Sequence, residues 1–177
     1  MSVEDTKTQK ILDTGLSYLK TIVLTAATVM LMQTFLIKVV VVNGSSMYPT
    51  YVEGDYALSF IAGKENLKRF DIVCISTNEN GEHNIIKRVI GLPGETVEYK
   101  GNQLYIDGNP VDEPFLGDNI NTQDIVMVSG DDEIIVLGDN REHSRDSRGN
   151  GPYKLKDVIS KGAIVLPKLS EMTVGRK

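Results

Sequence analysis

The chain has 177 residues, enough for one domain with its own core and little more once an apolar N-terminal stretch is set aside. Its 19 basic and 24 acidic residues give a net charge of −5, which argues against nucleic acid as a partner. The deficit is uneven: residues 1–42 carry four lysines and three acids, whereas residues 43–177 carry 15 basic and 21 acidic residues. The single cysteine, Cys74, rules out an internal disulfide and leaves the redox compartment unread; flanked by Ile72, Val73 and Ile75, it reads as a core residue.

The first element in chain order is apolar. Between Lys20 and Lys38 lie 17 uncharged residues, of which 12 are apolar and five are Thr or Gln. That length is at the short end of a membrane span, and Leu16, Leu19 and the snorkelling stems of Lys20 and Lys38 extend it. About twenty mixed residues precede the segment and no small-residue cleavage site follows it, which disfavours a removable signal peptide. No helical partner is present to cover it as a buried soluble helix. The stretch reads as one retained anchor, and Lys7, Lys10 and Lys20 before it favour a cytoplasmic N-terminus, partly offset by Glu4, Asp5 and Asp13. The expected organisation is a cytoplasmic tail over 1–15, a transmembrane anchor over 16–38 and an extracytoplasmic domain over 39–177.

Four β-branched residues, Val39 to Val42, then run into "NGSSMYPT". Asn, Gly and Ser turn chains after strands, so the two hydroxyls of Ser45 and Ser46 are open between a turn and a nucleophile. Downstream, short segments rich in Val, Ile and Tyr and separated by glycine turns predict strands over 56–61, 71–76, 84–90, 96–99, 103–107, 125–128, 133–137 and 158–166. "YKGNQLYIDGNPV" (99–111) predicts a hairpin with its tip at Gly101-Asn102 and a second turn at Asp107-Gly108. A mainly β, mostly antiparallel domain behind one helix follows.

Two segments carry chemistry. In "HNIIKRVIGLPGE" (83–95), strand alternation puts Ile85, Lys87 and Val89 on one face and Ile86, Arg88 and Ile90 on the other. An edge strand with snorkelling charges fits this pattern. So does a lysine desolvated among aliphatics, whose amine loses its preference for the charged form and becomes a general base for a serine. In "GDNREHSRDSRGNG" (138–151), two Asp, three Arg and two Ser follow an apolar strand. A solvated loop and a set of buried Asp–Arg pairs bracing a site are both open. A calcium loop fits poorly, because Arg141, Arg145 and Arg148 would oppose the metal.

Taken together, these segments resemble the type I signal peptidases, membrane-bound serine proteases that remove signal peptides from secreted preproteins, in the short single-anchor form of Gram-positive bacteria. "GSSMYPT" (44–50), "EGDYALS" (53–59), "KRVIGLPGE" (87–95) and "GDNREHSRDSRGNG" (138–151) match that family's boxes in order. The resemblance implies Ser46 as nucleophile, since it directly precedes the methionine, with Ser45 at the variable position. It further implies Lys87 as general base, Ser144 against the lysine amine, Asp139 and Arg88 as a bracing ion pair, and Asp146 and Arg148 as further structural charges. Some members carry a hydroxyl two residues before the nucleophile to help bind the oxyanion; here that position is Gly44, which leaves the backbone N–H of Ser46.

The implied substrates are secretory preproteins with small residues before the cut, received by shallow apolar pockets lined by Ile85 and Val89. The lipid bilayer is the other implied partner, and no metal or nucleotide cofactor is called for. Met47, Tyr48, Phe60 and Ile61 are open between a membrane-dipping rim and core. Other patterns carry less: an S-x-x-K at Ser17–Lys20 lacks the companion motifs of penicillin-binding enzymes, and a Ser–His pair is disfavoured because His83 lies in a polar turn and His143 in the variable part of its box. A catalytically impaired relative acting as a binding or assembly partner is the alternative, disfavoured by the presence of both Ser46 and Lys87.

Overall fold

The computed structural model describes residues 3–61, 63, 66–77, 83–117 and 121–166. The expected domain limits also take in residues 1, 2 and 167–177, which lie outside the described residues. The chain divides into two compact units, Met1–Ile37 and Lys38–Lys177.

The first unit is helix α1, Val3–Phe35. Its segment Leu12–Met32 is long and apolar enough to cross a membrane by length and composition, and none of it is buried. At 1.5 Å per residue those 21 residues extend about 31 Å, close to the hydrocarbon thickness of a bilayer. The threonines do not interrupt the apolar surface. Thr21, Thr25 and Thr28 each donate their hydroxyl to the carbonyl four residues back, at 2.8–3.0 Å, so these polar groups are satisfied within the helix.

The second unit is antiparallel β. Its strands are β1 Ile37–Val41, β2 Tyr56–Phe60, β3 Ile72–Thr77, β4 His83–Gly91, β5 Thr96–Lys100, β6 Gln103–Ile106, β7 Asn109–Val111, β8 Ile125–Val128, β9 Glu133–Leu137, β10 Tyr153–Lys154 and β11 Val158–Leu166. A seven-stranded sheet runs β1-β2-β11-β3-β4-β9-β10 and a four-stranded sheet runs β7-β6-β5-β8. Three of these strands go beyond the sequence expectation. The first, β1, is hidden by continuity with the apolar helix before it. The other two, β7 and β10, have three and two residues, too few for alternation to show; β7 also contains Pro110, which a sheet tolerates at an edge.

Strand β9 organises the interior because it is buried on both faces. Ile134 and Val136 pack with Val73, Ile75, Val89 and Val158 on one side. On the other, Ile135 and Leu137 pack with Ile90, Val97, Tyr99, Leu104, Ile106 and Met127, which joins the large sheet to the small one. A third cluster, Val42, Met47 and Tyr51 against Ile72, Ile86 and Ala163, lies under the serine loop. Met47 is therefore core, whereas Tyr48 and Phe60 are exposed.

A buried polar knot also ties the small sheet to the loop after β9. Arg141 donates through Nη2 to Glu113 Oε1 (2.5 Å), and through Nη1 to Tyr99 OH (2.9 Å) and Thr122 Oγ1 (3.0 Å). Its Nε donates to the Gly138 carbonyl (3.2 Å), and the Tyr99 hydroxyl donates in turn to Glu113. Burial raises the Tyr99 phenol well above its ordinary range, so it stays protonated as a donor. Removing one partner strands a buried charge. Glu113→Ala is expected to lower unfolding stability by about 3–5 kcal/mol in denaturant titration; a loss of only a few tenths would show that the knot contributes nothing.

Candidate active site

The serine loop is built from the sheet edge outward. The amide of Val42 donates to Asp55 O (2.9 Å) and the amide of Gly54 donates back to Val42 O (2.8 Å), pinning both ends of the loop. Gly44 turns the chain with φ +86°, a region that L side chains rarely occupy. Met47 and Tyr51 anchor the loop from below. Burial pushes the Tyr51 phenol up to about 12, and its hydroxyl donates to Ala163 O (2.5 Å). Ser45 is exposed and Ser46 is half-buried.

Strand β4 delivers the lysine. Lys87 is 3% exposed, and its Nζ donates to Ser46 Oγ at 2.7 Å and to Ile86 O at 3.1 Å. Burial pushes its amine below the ordinary lysine value; the carboxylates of Asp146 and Asp139 pull it back up and the Arg148 guanidinium opposes them, and the net shift is downward.

The loop from Gly138 to Arg148 closes around this pair. Arg88 grips Asp139 with two parallel bonds, Nε to Oδ1 (2.8 Å) and Nη2 to Oδ2 (2.6 Å). Thr50 Oγ1 donates to the same carboxylate (2.5 Å), Arg88 Nη1 donates to Phe70 O (3.0 Å), and the guanidinium carbon lies 3.9 Å from the Phe115 ring centre. Arg148 holds Asp146 in the same forked way, Nε to Oδ1 and Nη2 to Oδ2, both at 2.8 Å. Asp146 also caps helix α2, Ser147–Asn150, and accepts the Gly138 amide (3.0 Å). Burial alone would raise this carboxyl, but the bonds from Arg148 and Gly138 outweigh it and hold it below its usual range.

Two residues at the centre behave differently from their partners. Gly138 has no room for a side chain, since a Cβ there would collide with Ser144 Oγ and the Ser46 carbonyl. Ser144 Oγ is buried, sits near the Asp146 carboxylate and has no hydrogen bond of acceptable geometry among the described residues. It is not among the hydrogen-bond partners of Lys87.

A groove opens beside the Ser46–Lys87 pair. It is walled by Val39 to Val42 and by Asn84, Ile85 and Ile86. Ile85 lines it. Val89 does not: it is wholly buried in the core with Val73, Ile75 and Val136. The groove lies toward the start of β4, and two residues past Lys87 the strand has entered the interior. Sequence reasoning also missed Thr50, Asn140, Arg141 and Glu113. The first three stand inside quoted motifs but carry no distinguishing pattern, and Glu113 is an isolated acid with no local signal at all.

Comparison with known proteins assigns the chain to a hydrolase of the serine endopeptidase class. A family model for signal peptidase, peptidase S26, matches residues 15–166. The chain is 36% identical over 166 residues to signal peptidase I P of Bacillus subtilis subsp. natto, covering 86% of this chain and 89% of that protein. It is 40% identical over 136 residues to signal peptidase I V of Bacillus subtilis strain 168, covering 67% and 79%. A crystal structure of a signal peptidase I from Enterococcus faecalis V583 superposes with a TM-score of 0.50 at 35% identity, covering 58% of this chain and 97% of that one. The chain belongs to the signal peptidase family, peptidase S26.

The close approach at Gly138 yields a sharp expectation. Gly138→Ala should keep the β-domain folded by circular dichroism yet lower peptidase kcat/KM by about a hundredfold or more, the scale of a misplacement near 1 Å. Wild-type activity would show that the crowding has no consequence.

Proposed function

We propose that the chain is a membrane-anchored endopeptidase that removes signal peptides from secreted preproteins, with Ser46 as nucleophile and Lys87 as general base. The observation that carries this reading is the 2.7 Å contact between Lys87 Nζ and Ser46 Oγ at a lysine that is 3% exposed. In its neutral form the amine accepts the Ser46 proton across the same contact. The alkoxide then attacks the scissile carbonyl, and the Ser46 N–H is available to the developing oxyanion. The protonated Lys87 returns its proton to the leaving amine, and the acyl-enzyme is hydrolysed by a water that the same amine deprotonates.

The remaining residues support this chemistry. Asp139 with Arg88 and Asp146 with Arg148 hold the 138–148 loop, Ser144 offers an unclaimed hydroxyl beside it, and Gly44 supplies a turn and no second oxyanion donor. Ile85 and Ile86 favour small apolar residues before the cut. Helix α1 serves as the anchor, with the tail before residue 16 cytoplasmic and the domain from residue 39 outside. Exposed Val39, Val41, Tyr56, Phe60, Ile164 and Leu166 on β1, β2 and β11 form an apolar margin suited to a lipid surface.

Ser46→Ala and Lys87→Ala should each reduce cleavage of a preprotein by roughly four orders of magnitude or more while the protein stays folded, and Ser45→Ala should be mild. Cleavage at the wild-type rate by either of the first two would overturn the dyad. Because the base works only when neutral, kcat/KM should rise with pH through the lowered Lys87 value, and its acid limb should lie below the ordinary 10.5. A limb at or above that value would exclude Lys87. For topology, protease added outside intact cells should digest the β-domain; complete protection would reverse the orientation.

A further inference from the structure

The side chain of Asn140 reaches back to the serine loop. Its backbone N–H donates to the Ser46 carbonyl at 3.0 Å, and its Nδ2 donates to the Ser45 carbonyl at 3.1 Å. These two carbonyls belong to the peptide groups on either side of the Ser46 Cα. A peptide group is planar, so holding its oxygen holds its N–H as well. In the trans Ser45–Ser46 peptide the carbonyl points away from the N–H of Ser46. A donor that pulls on Ser45 O therefore aims Ser46 N–H in the opposite direction, and among the described residues nothing accepts that N–H. With the peptide planes on both sides of the Cα held by one residue, φ and ψ of Ser46 are held together. Those angles also set the direction of Cβ and Oγ toward Lys87.

This bears on a gap at the site. Gly44 contributes no hydroxyl, so the Ser46 amide carries the oxyanion with less help and its aim matters more. From this geometry we infer that Asn140 is a positioning residue: its carboxamide orients the Ser46 amide toward the developing oxyanion and acts through that amide without touching the substrate. The inference rests on the reading of Ser46 as nucleophile. The Tyr48 amide also donates to Ser45 O (3.0 Å), so loss of the Asn140 side chain loosens the plane without releasing it.

The test uses the full-length protein with Asn140→Ala and with Asn140→Asp, which keeps the shape but puts an acceptor against the Ser45 carbonyl. Two probes separate the effects: a peptide aldehyde with a small C-terminal residue, and the same peptide as the free acid. With the aldehyde, a bond forms from Ser46 Oγ to the carbonyl carbon, the carbonyl π bond breaks, and the serine proton passes through Lys87 to the hemiacetal oxygen. Asn140→Ala is expected to lower kcat and aldehyde affinity each by about tenfold, leaving KM, free-acid affinity and thermal midpoint unchanged, and Asn140→Asp should lose more than Ala. Wild-type kcat and aldehyde affinity in both variants would overturn the inference. So would equal losses for aldehyde and free acid, or unfolding of both variants, each of which makes Asn140 structural only. If the wild-type protein cleaves and Ser46→Ala does not, these outcomes bear on Asn140 alone; if folded wild type fails to cleave, the functional reading fails and this inference falls with it.

Discussion

A lysine amine held almost wholly out of water, 2.7 Å from a serine hydroxyl, is the constraint around which the rest of the β-domain is arranged. Burying that amine works against folding. Between the lowered value in the folded protein and the ordinary 10.5 of the unfolded chain, the unfolded state binds the proton more readily, so stability falls as pH drops through that window. The carboxylates of Asp139 and Asp146 ease the penalty from a distance without meeting the amine. Each of them is engaged by an arginine of its own, which limits how far they draw Lys87 back toward the charged form.

The loop from Gly138 to Arg148 is accordingly a structural part of the interior. Its charges that are out of water, wholly or in part, are matched inside it or to its neighbours: Asp139 to Arg88, Asp146 to Arg148, and Arg141 to Glu113. Forked carboxylate–guanidinium bonds fix orientation as well as distance, which suits a loop whose task is to hold Gly138 against the Ser46 carbonyl. The Arg141 knot extends the brace to the small sheet, since Tyr99 lies on β5 and Glu113 follows β7. That sheet takes no direct part in the groove, yet it helps set the position of the loop that does.

The groove also shows why the order of elements along the chain matters. Val39 to Val42, on and just after β1, wall the same groove as Ser46 and Lys87. The serine loop follows this wall directly, and the lysine strand joins them from 41 residues further on.

Much of the fold and part of the site are legible in the sequence. Strand periodicity predicts eight of the strands, including the doubly buried β9, because alternation and apolar runs are local properties. The apolar run around α1 and the presence of one serine-bearing and one lysine-bearing motif are local as well. What the sequence alone leaves open is what depends on distant segments meeting. Ser45 and Ser46 are alike by local pattern, and the family resemblance singles out Ser46, but only the fold brings Lys87 to that hydroxyl across 41 residues. Val89 shares strand parity with Ile85 but goes to the core, because β4 runs from the groove into the interior. Glu113 and Arg141, 28 residues apart, pair only because the small sheet packs on β9. Residue type and spacing determine which groups this protein has available; packing decides which of them lose water and which face each other, because burial and contact depend on segments far apart in the chain.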